Sequence, residues 1–192
     1  MIRTLLFLLP ALFTAGCAST TPTGAVSLRY TVAGTQTAEV PRRVALFKIS
    51  DAREDSNLGA IHSGFARGSK SLGPARDNAA KWVTDALEGE LSNAGYTVVN
   101  AMGPGVTNVA IDGQVSDIHI EPKEASHECR ITVFIRVRRG ETEVLHKSFQ
   151  ASESQPGLGA TGGTASELLT RTLQQLMRSV VPAVLRAVEQ PE

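Results

Sequence analysis

The chain has 192 residues, with 19 Lys and Arg against 19 Asp and Glu, four His, two Cys and 42% apolar residues. That size fits one ordinary globular domain or two very small ones, and the mixture of charged and apolar residues excludes both a disordered polyelectrolyte and a multi-span membrane protein. A net charge of zero argues against a nucleic-acid binder, which needs surplus cations on one surface to neutralise phosphates.

Residues 1–16 read as a secretory signal peptide: Arg3, an apolar run over 5–13, then small Ala15 and Gly16. The run is too short to cross a bilayer, which takes roughly 20 apolar residues. Thr14-Ala15-Gly16-Cys17 resembles the bacterial lipobox, with Thr14 where Leu is usual. That resemblance implies cleavage before Cys17 and its acylation by fatty chains such as palmitate. The alternative is an ordinary signal peptide cut near Ala15 or Ala18, with Cys17 incidental. Two or more acyl chains, at about 0.8 kcal/mol per buried methylene, hold a protein stably on a membrane. Residues 17–25 then form the lipidated Cys and a polar tether, and 26–190 a single periplasmic domain. Ala18 and Ser19 in place of Asp after the cysteine resemble the signal for transfer to the outer membrane, which implies anchoring at its periplasmic face.

Val26, Leu28, Tyr30 and Val32 alternate with polar residues, the period-two pattern of a half-buried strand. Residues 43–50 are nearly continuous in apolar character and read as a central strand covered on both faces. Residues 51–76 are rich in Gly and Ser and hold no run long enough for an element, so they read as one long functional or mobile loop. Asp77 is placed to cap a helix that carries Ala79, Trp82, Val83, Ala86, Leu87, Leu91 and Ala94 at helical spacing, with Gly95 as its stop. Gly89 inside that helix costs about 1 kcal/mol relative to Ala, which packing must offset. Residues 96–99 return as a strand.

In the second half the apolar parity changes between Val115 and Ile118, which predicts a bulge near Ser116 and Asp117. A loop over 121–128 leads into a hairpin of 129–138 and 142–151 that turns at Arg139-Gly140-Glu141. Thr164 and Glu167 are spaced as a capping box before a helix whose stripe includes Leu168, Leu173, Leu176, Val180, Val184 and Val188, with Pro182 expected to kink it. The fold class is α+β: a mainly antiparallel sheet of about five to six strands with two helices packed on one face.

Gly157-Leu-Gly159-Ala-Thr-Gly162 matches G-x-G-x-x-G, but it joins a hairpin strand to a final helix with no strand after it, so no nucleotide cofactor is expected. His62, His119, His127 and His146 lack metal-ligand spacing, and no cofactor or metal is expected. Cys129, the one thiol left once Cys17 is acylated, opens a strand whose inward positions are Cys129, Ile131, Val133, Ile135 and Val137, so it reads as a small buried hydrophobe. Arg130, Arg136 and Arg138 share the opposite face with Thr132 and Phe134. A charged outer face is normal for such a sheet, but arginines around an aromatic also suit an acidic partner or a phosphate. Within the long loop, Asp51, Arg53 and Phe65 are the further candidate contacts.

The lipobox ending in Cys17, the strand Val44 to Ile49 running into Asp51-Ala-Arg53-Glu-Asp55, Leu58-Gly59, the helix with Leu87 and Leu91 closing at Ala94-Gly95-Tyr96, and the C-terminal amphipathic helix resemble the YajG-like family of bacterial lipoproteins. The resemblance implies an outer-membrane-anchored periplasmic α+β domain with no known catalytic residues. The expected function is that of a non-enzymatic adaptor or binding module in the cell envelope, with an envelope protein as partner. An auxiliary lipoprotein of an ABC-type transport system is the alternative, and a periplasmic hydrolase a third.

Overall fold

The computed structural model describes residues 26–34, 36–40, 42–62, 69–74, 78–157 and 162–189. Cys17, the tether, Phe65 and Asp77 lie outside them. In chain order the elements are β1 (Arg43–Leu46), β2 (Ser50–Asp51), β3 (Asn57–His62), β4 (Ser69–Pro74), α1 (Ala79–Asn93), β5 (Thr97–Val99), β6 (Val109–Lys123), β7 (Ser126–Arg139), β8 (Thr142–Pro156) and α2 (Gly162–Glu189).

The three long strands β6, β7 and β8, of 15, 14 and 15 residues, form an antiparallel meander in which the central β7 alternates buried and outward positions along most of its length. The register of β6 on β7 shifts between Val115 and Asp117, where the change of parity placed a bulge. Strands β6 and β7 are longer than expected: they meet at a two-residue turn, Glu124-Ala125, where the sequence suggested a loop over 121–128.

The other edge of β6 takes three short strands in series: β1 at Ala110 and Ile111, β2 at Gln114 and Val115, and β3 at Ile120, all parallel to it. Beyond them, β5 adds parallel to β1 and β4 antiparallel to β3. The result is one eight-stranded mixed sheet among the described residues, which corrects the expected five to six mainly antiparallel strands. The physical reason lies in α1: a strand, a helix and a strand in succession form a crossover that returns β5 beside β1 in the same direction. The extra strands are β3 and β4, a hairpin within what the sequence presents as a loop. Its Gly- and Ser-rich composition conceals three inward side chains, Leu58, Ile61 and Leu72, all buried.

Both helices cover one side of this sheet. Every apolar residue of the α2 stripe from Leu168 onward is buried, and Pro182 lies within the helix without ending it. The helix already runs through Thr164, so the spaced Thr164 and Glu167 fall inside its first turns instead of framing its start. Asn78 caps α1, its Oδ1 accepting from the Lys81 amide at 3.0 Å. Gly95 ends it with a φ of +100°, a conformation that favours glycine.

The segment expected as a first strand is not one. Residues 26–34 run as an extended strap along the helices, and its alternation reflects burial of Val26 and Leu28 alone, with polar side chains of helices in place of a strand partner. The Ser27 amide donates to Ser166 Oγ at 3.2 Å, Thr170 Oγ1 to the Arg29 carbonyl at 2.9 Å, and Gln174 Nε2 to the Thr31 carbonyl at 2.9 Å. From α1, the buried carboxylate of Glu90 accepts from Tyr30 Oη at 2.5 Å and from the amides of Ala33 and Gly34 at 2.6 and 3.3 Å. Burial and the Glu90 carboxylate hold the Tyr30 hydroxyl well above the usual phenol range. Gly89 faces the strap: a Cβ there would lie 2.9 Å from Val32 Cγ2, so a larger residue would have to push that half-exposed side chain aside.

Candidate functional site

With both helices on one side, the meander leaves its other side uncovered by any helix among the described residues. In β7 the inward positions Cys129, Ile131, Val133, Ile135 and Val137 are fully buried, so the intervening Arg130, Thr132, Phe134, Arg136 and Arg138 point to the free face. Across the register, Asp112 stands opposite Arg136, Gln114 opposite Phe134 and His119 opposite Arg130. The arginines therefore gather on one face but do not form a bare cationic patch. Arg136 Nε lies 2.9 Å from Asp112 Oδ1, Arg138 Nη2 3.5 Å from Asp112 Oδ2, and Arg130 Nε 2.9 Å from Asp117 Oδ2. Such half-exposed pairs add little to stability, but they fix where the charges stand. Phe134 meets the His146 ring edge-on, with centroids 4.6 Å apart, and His146 Nδ1 is 2.8 Å from Glu143 Oε1.

Beside this face the edge of β6 has no strand partner among the described residues between Val115, where β2 stops, and Ile120, where β3 joins. The gap opens a polar cleft of about 360 Å³ lined by Arg53, Glu54 and Asp55 from the connecting segment, by Asn57 at the start of β3 and by Ser116, Asp117 and His119 from β6. Arg53 Nε and Nη2 donate to the two carboxylate oxygens of Asp51 at 2.9 and 2.8 Å. That pair holds the Asp51 carboxyl below the usual carboxylate range. Asp117 belongs to both regions, since it lines the cleft and also holds Arg130. The structure thus brings Asp51 and Arg53 near Arg130, while Phe134, Arg136 and Arg138 follow farther along the sheet. Asn57 and His119 join Arg53 through strand pairing alone, and no spacing in the sequence marks them as its neighbours.

The remaining chemistry-bearing residues are structural. Cys129 is buried, and burial pushes its thiol up to about 12. His127 projects to the same side and is also buried; its Nε2 accepts from the His62 amide at 2.9 Å. Burial and the neighbouring His62 ring, edge-on with centroids 5.1 Å apart, hold its pKa below the ordinary histidine value. Among the described residues, no three His, Cys, Asp or Glu side chains are placed to hold a metal ion. Gly157 follows a strand that pairs antiparallel with β7, and residues 158–161 of the glycine motif lie outside the described residues.

The molecule is defined as an α+β domain: a mixed sheet backed on one side by two helices, open on the other, with a charged cleft at the sheet's gap. No family model matches the chain, and no curated protein matches it. Among solved structures it is similar to protein XCC0632 from Xanthomonas campestris, of family DUF330, with a TM-score of 0.61 and 11% identity over 86% of this chain and 96% of that one. It is also similar to protein CT253 from Chlamydia trachomatis, with a TM-score of 0.54 and 12% identity over 78% of this chain and 99% of that one. A minor lipoprotein from Acinetobacter baumannii gives a TM-score of 0.45 and 14% identity over 79% and 98%. The first two likenesses are of fold.

Proposed function

We propose that the chain is a YajG-like lipoprotein, fastened through Cys17 to the periplasmic face of the outer membrane, whose domain is a non-catalytic adaptor that meets an envelope protein through the open face of its sheet. The observation that carries this reading is the asymmetry of the layers. Three strands of 14 or 15 residues present a largely polar face on which, among the described residues, no helix packs, while the apolar side is covered by α1 and α2. Alternating Asp112, Arg136, Asp117 and Arg130 suit a partner with its own mixed charges, since paired charges on a rigid sheet confer specificity more than raw affinity. The lipobox supports the anchor. His62, His127 and His146 bond to backbone or carboxylate atoms and not to a hydroxyl or thiol among the described residues, which supports a binding role over a hydrolytic one.

The test is a photocrosslinking residue placed at Thr132 or Phe134 in the membrane-bound chain, with Glu88 on the exposed side of α1 as the control. One dominant adduct from the sheet positions and none from Glu88 is expected, and its identity separates an adaptor from a transport auxiliary. No adduct from the sheet, or equal yields from both sides, refutes the surface. Cys17→Ser is expected to move the chain from the membrane fraction to the soluble one; a variant that stays with the membrane refutes the anchor.

A further inference from the structure

We infer that the cleft beside Arg53 binds a small zwitterion, a ligand that carries an ammonium group and an anionic oxygen together. This site adjoins the proposed partner face, sharing Asp117 with it, but depends on neither the partner nor the lipid anchor. Two of the three guanidinium nitrogens of Arg53 are taken up by Asp51. The third, Nη1, is buried and has no hydrogen-bond partner, in a side chain only 7% exposed. A charged donor removed from water without an acceptor is costly, so an oxygen belongs at Nη1. Trp82, Arg138 and Arg139 also carry an unpartnered buried nitrogen, but none of them lines this cleft.

The lining decides what kind of oxygen. Asp51 neutralises Arg53 and Arg130 neutralises Asp117, which leaves Glu54 and Asp55, both exposed, as carboxylates with no ion-pair partner among the described residues. A lone phosphate or carboxylate that reached Nη1 would face those two negative charges. A lone amine would satisfy them and leave Nη1 bare. Joined in one molecule, the two groups meet both needs at once. A cleft of about 360 Å³ is of the size that takes a small molecule. Two sources offer this chemistry: a free solute such as an amino acid, and the ammonium-phosphodiester headgroup of a lipid.

Titration calorimetry on the full chain tests the site, with glycine and O-phosphoethanolamine as probes and inorganic phosphate, acetate and ethylamine as single-charge controls. Saturable binding of a zwitterion, with every control weaker by about tenfold or more, is expected. Arg53→Gln should abolish it. Because that change also breaks the Asp51 pair, Glu54→Gln with Asp55→Asn serves as the second variant. It alters only exposed side chains, keeps the acceptor for the Asn57 amide, and should weaken zwitterion binding by about tenfold while sparing phosphate. Monomeric short-chain phosphatidylethanolamine then separates the sources: tighter binding than O-phosphoethanolamine assigns a lipid headgroup, and weaker binding a free solute. Binding of phosphate alone as tight as the zwitterions, no saturable binding of any zwitterion probe, the short-chain lipid included, or wild-type affinity in the double variant overturns the inference.

Discussion

Gly59 is the point at which the β3–β4 hairpin joins the rest of the sheet, and Gly59→Ala tests how much depends on it. The single register pair between β3 and β6 is Gly59 with Ile120. A Cβ at Gly59 would stand 2.1 Å from the Ile120 carbonyl oxygen and 2.9 Å from its carbonyl carbon and amide nitrogen, all backbone atoms of a strand held on its other edge by β7. The residue also has a φ of +93°, which costs an alanine about 1–2 kcal/mol by itself. Relief requires the hairpin to move away, exposing Leu58, Ile61 and Leu72, and full exposure of three such side chains would cost roughly 5–9 kcal/mol. Partial retention of their contacts brings the expected loss to about 3–5 kcal/mol. Urea unfolding followed by fluorescence of the buried Trp82 gives the free energy, and amide exchange in β3 reports whether the hairpin has lifted. Gly73→Ala is the control: a Cβ there meets nothing within 4 Å, and its effect should stay within about 0.5 kcal/mol. A Gly59→Ala protein within about 1 kcal/mol of wild type, with unchanged protection in β3, would refute the account.

Other expectations follow from single groups. Glu90→Ala removes the acceptor of three strap hydrogen bonds, and should cost about 2–4 kcal/mol in urea unfolding, with loss of amide protection at Ala33 and Gly34. The lowered pKa of His127 means that the unfolded chain takes up its proton first as pH falls; this contribution to stability is complete above about pH 6.5 and lost as pH drops toward the folded value, a slope that His127→Gln should flatten in thermal unfolding between pH 7 and 5. Cys129, with its thiol raised to about 12 by burial, should resist iodoacetamide in the native protein at pH 8 and react fully in urea, as followed by mass spectrometry.

What the sequence discloses is governed by how far apart the deciding residues lie. The bulge at Ser116 is legible because a change of parity within one strand can arise only from an extra residue. The inward set from Cys129 to Val137 and the stripe of α2 are legible for the same local reason, and both are buried throughout. The strap defeats the same logic. Period-two alternation reports an extended chain with one apolar side, and says nothing of whether its carbonyls meet a strand or the side chains of Thr170 and Gln174. The parallel pairings of β6 and the β3–β4 hairpin depend on partners from distant parts of the chain, and three buried side chains among glycines and serines give too weak a pattern to reveal them. Asp51 and Arg53 are visible as candidates by position, but the orphaned Nη1 and the convergence with His119 exist only once β2 and β3 leave a gap beside β6.

The strap also determines how the body would answer a mechanical load. Its bonds to Ser166, Thr170 and Gln174 advance in the same order as α2 itself, so tension on the N-terminal end directed along that helix strains them side by side. Bonds strained together yield at higher force than bonds peeled one at a time, and the Glu90 clamp lies last in the line. A tug from upstream of Val26 would thus be shared between both helices before it reached any strand.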